Sequence, residues 1–183
     1  MRLPKYVWAL VPAVVLLGLV LLFAIGLQHD PRVVPSPLIG KPAPGFDLRI
    51  VGAQTPFRRD DLLGRPVLVN FFASWCAACR DEHPLLLDLA RRGVEIVGMD
   101  YKDTDADGLL WLERHGSPYR TVVADPEGRA GLDWGVYGVP ETYVLDAQGT
   151  IVYKQIGPLD EQTWRSKIAP LMAAGSVLQT GSR

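Results

Sequence analysis

The chain has 183 residues but only two cysteines and three histidines. So few thiols and imidazoles leave a zinc site short of ligands. His29 lies in a proline-rich segment, His115 is far along the chain, and only His83 follows the cysteines at a helical spacing. No metal site and no cofactor is expected. Charge of one sign is lacking too: 19 Lys and Arg stand against 20 Asp and Glu, giving a net charge of -1 and a pI near 6.3. The charges are interspersed rather than blocked, which leaves no electrostatic footprint for nucleic acid. Internal repeats and low-complexity tracts are absent, so the sequence reads as one ordinary domain.

One long hydrophobic run is present. Tyr6 to Leu27 is uncharged and mostly apolar, and its ~22 residues would reach about 33 Å as a helix, the thickness of a bilayer's hydrocarbon core. A cleaved secretory signal would have a shorter apolar core and a better small-x-small site than Ala24–Gln28 offers, so residues 6–27 are read as a transmembrane anchor. Arg2 and Lys5 precede the run and Asp30 follows it. The positive-inside rule then leaves residues 1–5 in the cytoplasm and everything after Leu27 outside it. In a bacterium this is a single pass through the inner membrane with the domain in the periplasm, where disulfides persist.

Residues 28–45 carry five prolines and read as a tether, residues 46–173 as the domain, and residues 174–183 as a flexible tail. Within the domain, strands are expected at Phe46–Val51, Pro66–Phe72, Val94–Met99, Thr121–Ala124, Thr142–Asp146 and Thr150–Ile156. Helices are expected at Cys76–Arg92, Asp105–His115, Arg129–Trp134 and Glu161–Met172, the last with a kink at Pro170. Alternating strands and helices that end in a hairpin imply an α/β domain, with a central mixed sheet flanked by helices.

The two cysteines stand as Trp75-Cys76-Ala77-Ala78-Cys79, after a strand and at a helix start. Unpaired N–H groups and the positive end of the helix dipole stabilise a thiolate at Cys76 and make it the attacking sulfur. Cys79, one turn on, is placed to resolve a mixed disulfide. A purely structural staple is a weaker reading, because closing so short a loop removes only about 2 kcal/mol of unfolded-state entropy.

The stretches WCAACRDEHP, VEIVGMDYKD and GVYGVPETYVLD together resemble the thioredoxin superfamily over residues 40–172, and most closely its cytochrome c maturation branch, the CcmG or DsbE proteins. The resemblance implies a thioredoxin-like fold. It implies a cis proline at Pro140 facing the cysteine pair, with Val139 presenting backbone to an extended substrate. Trp75, Tyr137, Gly138, Val139 and Pro140 would then line the substrate groove. Asn70 occupies the strand position where many thioredoxins carry a proton-relaying aspartate; an amide cannot do this. Glu82, at i+3 from Cys79, and Glu141, beside Pro140, match acidic positions of the CcmG pattern and are the expected acid/base supports. Pro84 falls inside the active-site helix and is expected to bend it.

The implied activity is that of a membrane-anchored reductase of disulfides in apocytochrome c, at its CxxCH segment, or in a maturation partner. A membrane donor of the DsbD or CcdA type would re-reduce it. Ala77-Ala78 replaces the proline-containing dipeptide of the family, which leaves two alternatives open: a general periplasmic reductase or oxidase, and a groove-binding chaperone for unfolded cytochrome with secondary thiol chemistry.

Overall fold

The computed structural model describes residues 12, 14–23 and 36–173. Residues 14–23 are helical with exposed side chains and belong to a unit of their own. Among the described residues no helix is long and apolar enough to cross a membrane. The ends of the expected 6–27 span lie outside the described residues, as do residues 1–5, 28–35 and 174–183.

The second unit begins at Ser36 rather than at residue 46. Residues 36–45 are held by backbone bonds along the last hairpin: Gly40 N–H to Ile151 O at 2.8 Å, Ile151 N–H to Lys41 O at 2.9 Å and Ala43 N–H to Gly149 O at 2.9 Å. Ala43 is buried in the core. Proline content alone suggested a tether, but prolines are compatible with an edge segment that needs few donors.

Seven strands form one sheet in the order β2-β1-β5-β4-β3-β6-β7. They are β1 (Asp47–Ile50), β2 (Pro56–Arg58), β3 (Val67–Phe72), β4 (Ile96–Tyr101), β5 (Thr121–Asp125), β6 (Glu141–Leu145) and β7 (Ile151–Ile156). β4 runs parallel to β3 and β5, whereas β6 is antiparallel to β3 and to β7. The helices are α1 (Ala77–Arg91), α2 (Asp105–His115), α3 (Arg129–Asp133) and α4, which starts at Glu161–Thr163.

Every residue of β3 is buried, which explains an apolar run without alternation: both faces are covered. On one face Val67, Val69 and Phe71 pack with Trp134, Tyr143 and Leu145. On the other Leu68 and Phe72 pack with Leu86 and Leu89 of α1, Trp111 of α2 and Ile168 of α4. Cys76 and Cys79 belong to this second cluster.

Three elements differ from the sequence expectation. β2 is a three-residue strand too short to announce itself by periodicity. β4 is displaced two residues toward the C-terminus and ends at Tyr101. In α4 a π-helical turn spans Trp164–Ile168, with the Ala169 N–H bonded to Trp164 O. Pro170 has no N–H to give, and the widened turn just before it takes the place of a simple kink.

Candidate active site

β3 ends at Phe72 and α1 begins at Ala77, so the short loop between them delivers Cys76 as the N-terminal cap of α1. Its Sγ accepts the Cys79 N–H at 3.0 Å. That bond and the α1 dipole act on the same sulfur, and both favour a thiolate there when the pair is reduced. In the structure the two cysteines form a disulfide with Cα atoms 5.4 Å apart. Cys76 is 5% exposed and Cys79 2%, so Cys76 is the more accessible of the pair.

The register of β3 with β6 pairs Phe71 with Glu141, which carries the 135–140 segment to the end of β3 from which the cysteine loop departs. The Val139–Pro140 peptide bond is cis. Pro140 is buried, and Val139 packs against the cluster that contains the cysteines. Trp75, next to Cys76 in the chain, is 58% exposed; Tyr137 is 76% exposed, but its ring lies against Lys154, at 4.8 Å, rather than in the cysteine cluster. The Trp75 Nε1–H is bonded to Lys102 O at 3.1 Å.

The two carboxylates part company. Glu82 is 1% exposed on the cysteines' side of the sheet. Its Oε1 accepts from Asn70 Nδ2 at 2.8 Å and its Oε2 from the Leu159 N–H at 2.7 Å. Burial pushes its pKa up to about 7, and the bonds from Leu159 and Asn70 restrain the rise. A carboxyl poised there can accept and return a proton at neutral pH.

Glu141 lies on the other face, since alternation along β6 groups it with Tyr143 and Leu145. It forms a buried ion pair with Lys154 at 2.9 Å and accepts the Tyr137 N–H at 3.0 Å. Lys154 also donates to Gly135 O at 2.7 Å. The structure therefore does not bring Glu141 to the thiols' face as an acid or base. It ties both ends of the 135–141 segment to β7, and so holds the cis-proline loop in place.

Asn70, which cannot relay a proton, has a different task. Its Nδ2 donates to Glu82 and to Thr142 Oγ1 at 2.9 Å, and its Oδ1 accepts from Tyr119 Oη at 2.8 Å. This buried network fixes the Glu82 carboxylate. Sequence reasoning missed Tyr119, Thr142, Leu159 and Lys154, which are distant in the chain and carry no local motif. Burial of Glu82 was foreshadowed: Cys79, Glu82, His83, Leu86 and Leu89 form the buried stripe of α1, and Glu82 falls inside it. Pro84 sits within a continuous α1 on its exposed side. Among the described residues no group of three or more His, Cys, Asp or Glu is placed to hold a metal ion.

Residues 39–154 match the AhpC/TSA family. The thiol:disulfide interchange protein DsbE of Allochromatium vinosum is 47% identical over 90% of this chain and 92% of its own length. The thiol:disulfide interchange protein HelX of Rhodobacter capsulatus is 49% identical over 80% of this chain and 84% of its own. A solved structure of a thiol:disulfide interchange protein DsbE from Chlorobium tepidum superposes with a TM-score of 0.62, covering 75% of this chain and 96% of that one. At 23% identity that likeness speaks for the thioredoxin-like fold alone. The buried cysteine pair at the helix N-terminus and the extent of these matches lead to one conclusion: the chain belongs to the AhpC/TSA family, together with the DsbE and HelX thiol:disulfide interchange proteins, and is a thiol-disulfide oxidoreductase.

Proposed function

We propose that this oxidoreductase is a membrane-anchored periplasmic reductase that keeps the CxxCH cysteines of apocytochrome c, or the thiols of a maturation partner, reduced for haem attachment. The observation that carries the reading is the juxtaposition of an N-capping Cys76 with the cis-proline loop, through Val139, and with the exposed Trp75. An attacking sulfur beside a strand-like backbone suits an extended, unfolded segment better than a folded surface.

In the reducing direction the Cys76 thiolate attacks one sulfur of the substrate disulfide, and the other leaves as a thiolate. Cys79 then gives up its proton, with Glu82, buried on the same stripe of α1 at i+3, as the base. The Cys79 sulfur attacks Cys76 and expels the second substrate thiol. Two electrons pass to the substrate, whose two thiolates take up the proton released by Cys79 and one from solvent, and the enzyme is left as the Cys76–Cys79 disulfide. A membrane dithiol donor of the DsbD or CcdA type would return them. The uncharged run from Tyr6 to Leu27 supports placing the domain at the outer face of the inner membrane.

Trapping tests the substrate. Cys79→Ser leaves the Cys76 mixed disulfide unresolved, and mass spectrometry of the complex is expected to find an apocytochrome c or a haem-ligation factor joined through Cys76. Recovery of a broad set of unrelated periplasmic proteins would instead make it a general reductase or oxidase. Cytochrome captured without any cysteine bond would favour a chaperone. The anchor is checked separately by the mass of the mature chain, which is expected to retain residues 6–27.

A further inference from the structure

A third segment reaches the reactive end of the molecule. The chain leaves β4 through a tight turn in which Lys102 adopts φ +50°, uncommon for a non-glycine residue, with its N–H bonded to Asp125 O at 2.9 Å. This backbone aims two acceptors at the loop before Cys76. Lys102 O accepts the Trp75 indole N–H at 3.1 Å, and Asp103 Oδ2 accepts the Ser74 N–H at 2.6 Å. Asp103 Oδ1 takes the Thr104 N–H at 2.8 Å, which fixes the carboxylate at the start of α2. Ser74 and Trp75 immediately precede Cys76, whose own N–H closes onto Ala73 O at 3.2 Å. The geometry of the cap is thus anchored from outside α1.

Beneath Asp103 lies a carboxyl group that thiol exchange does not use. Asp100, at the end of β4, is 2% exposed and its Oδ1 has no hydrogen-bond partner. Its Oδ2 rests against the backbone of α2 at Gly108, where an added Cβ would come within 2.2 Å. Asp103 is near enough for its charge to act on Asp100. A buried carboxyl near other carboxylates resists ionisation, because it would lose its hydration and meet their repulsion.

Burial first, then the charges of Asp103, Asp105 and Asp107, push Asp100 up to about 8. It therefore holds the proton at neutral pH. Tyr119 is the further titratable group facing it, and Arg49 of β1 is turned to Asp105 on the outer side of the cluster.

We propose that Asp103 is a positioning residue for the reactive thiol: acting through Ser74 it fixes the loop that sets Cys76 at the helix N-terminus, with the buried Asp100 carboxyl at its back. The inference rests on thiol exchange at Cys76 and not on the identity of the substrate. When Asp100 ionises, Asp103 gains a like charge at its back. The loop then loosens and the thiolate loses part of its N–H and dipole stabilisation.

The test is the pH profile of Cys76 alkylation by iodoacetamide in the reduced full-length chain, on a Cys79→Ser background so that one thiol reacts. Asp103→Ala is expected to raise the Cys76 pKa and slow alkylation about 3- to 10-fold near pH 7. Asp103→Asn keeps one acceptor oxygen and is expected to fall between it and the parent. Loss of a nearby negative charge alone would lower the thiol pKa, so the sign separates positioning from simple electrostatics.

Asp100→Asn, which cannot ionise, is expected to keep the parental rate near pH 6. It is also expected to lack the departure from a single-proton curve that the parent shows above about pH 8. An Asp103→Ala profile that superimposes on the parent or shifts to lower pKa would overturn the proposal. So would an alkaline departure that survives in Asp100→Asn. If Asp103→Ala does not fold, the Asp103→Asn curve decides by the same sign.

Discussion

At the scale of single residues, the site depends on which carboxyl can move a proton and which only holds structure. Glu82 and Glu141 are both 1% exposed, yet Glu141 has the Lys154 ammonium against it and Glu82 has only neutral donors. The ammonium occupies Glu141 as an ion-pair partner, whereas a buried carboxylate surrounded by neutral donors is free to take a proton. Glu82→Gln should therefore remove a titration near pH 7, the value to which burial raises this carboxyl, from the rate at which Cys79 resolves a mixed disulfide. It should also weaken the fold by about 1–2 kcal/mol, since the amide nitrogen must face a donor from either Asn70 or Leu159. Stopped-flow reduction of a model disulfide across pH makes the measurement, and an unchanged profile would remove Glu82 from proton transfer.

At the scale of elements, α2 shows how far local sequence reaches. Its expected and observed bounds coincide at Asp105–His115 because local chemistry marks both ends. Thr104 caps the Asp107 N–H at 3.2 Å, and Gly116 with φ +82° ends the helix. The cysteine-bearing start of α1 was legible for the same reason. Register was not: nothing in β6 taken alone says that Glu141 pairs with Phe71, or that this pairing sends it to the face away from the cysteines. Gly108 is a second instance. In an exposed helix Gly→Ala stabilises by about 1 kcal/mol, and sequence reasoning would expect that gain here. Asp100 fills the space, so Gly108→Ala should instead destabilise the domain by about 2 kcal/mol or more in denaturant unfolding. Combining it with Asp100→Ala, which removes the overlapping carboxylate, should recover most of that loss. A stabilised Gly108→Ala single variant would refute the close approach of β4 and α2.

At the scale of the whole molecule, the same buried acids make folding stability depend on pH in a direction opposite to that of most carboxylates. Burial raises Glu82 to about 7 and Asp100 to about 8, so over the range between ordinary carboxylate values and these, the folded protein holds protons that the unfolded chain has released. Stability then falls as pH rises. His83 acts in the other sense: burial lowers its pKa, so its contribution is lost as pH falls below the ordinary histidine value. Asp105, lowered by Arg49, and Asp160, lowered by the Thr163 N–H, lose their contribution only in acid. Above about pH 6.5 the two buried carboxyls are therefore unopposed. Between about pH 6.5 and 8.5 the oxidised protein should lose roughly 2–3 kcal/mol, several degrees in Tm. Glu82→Gln and Asp100→Asn should each flatten part of that slope, and together most of it, because neither amide can ionise. A Tm that is flat or rises over this interval, followed by calorimetry in buffers of constant ionic strength, would mean that these two groups are ionised in the folded protein at neutral pH. The proton-holding role of Glu82 and the carboxyl pair behind Ser74 would then both fail.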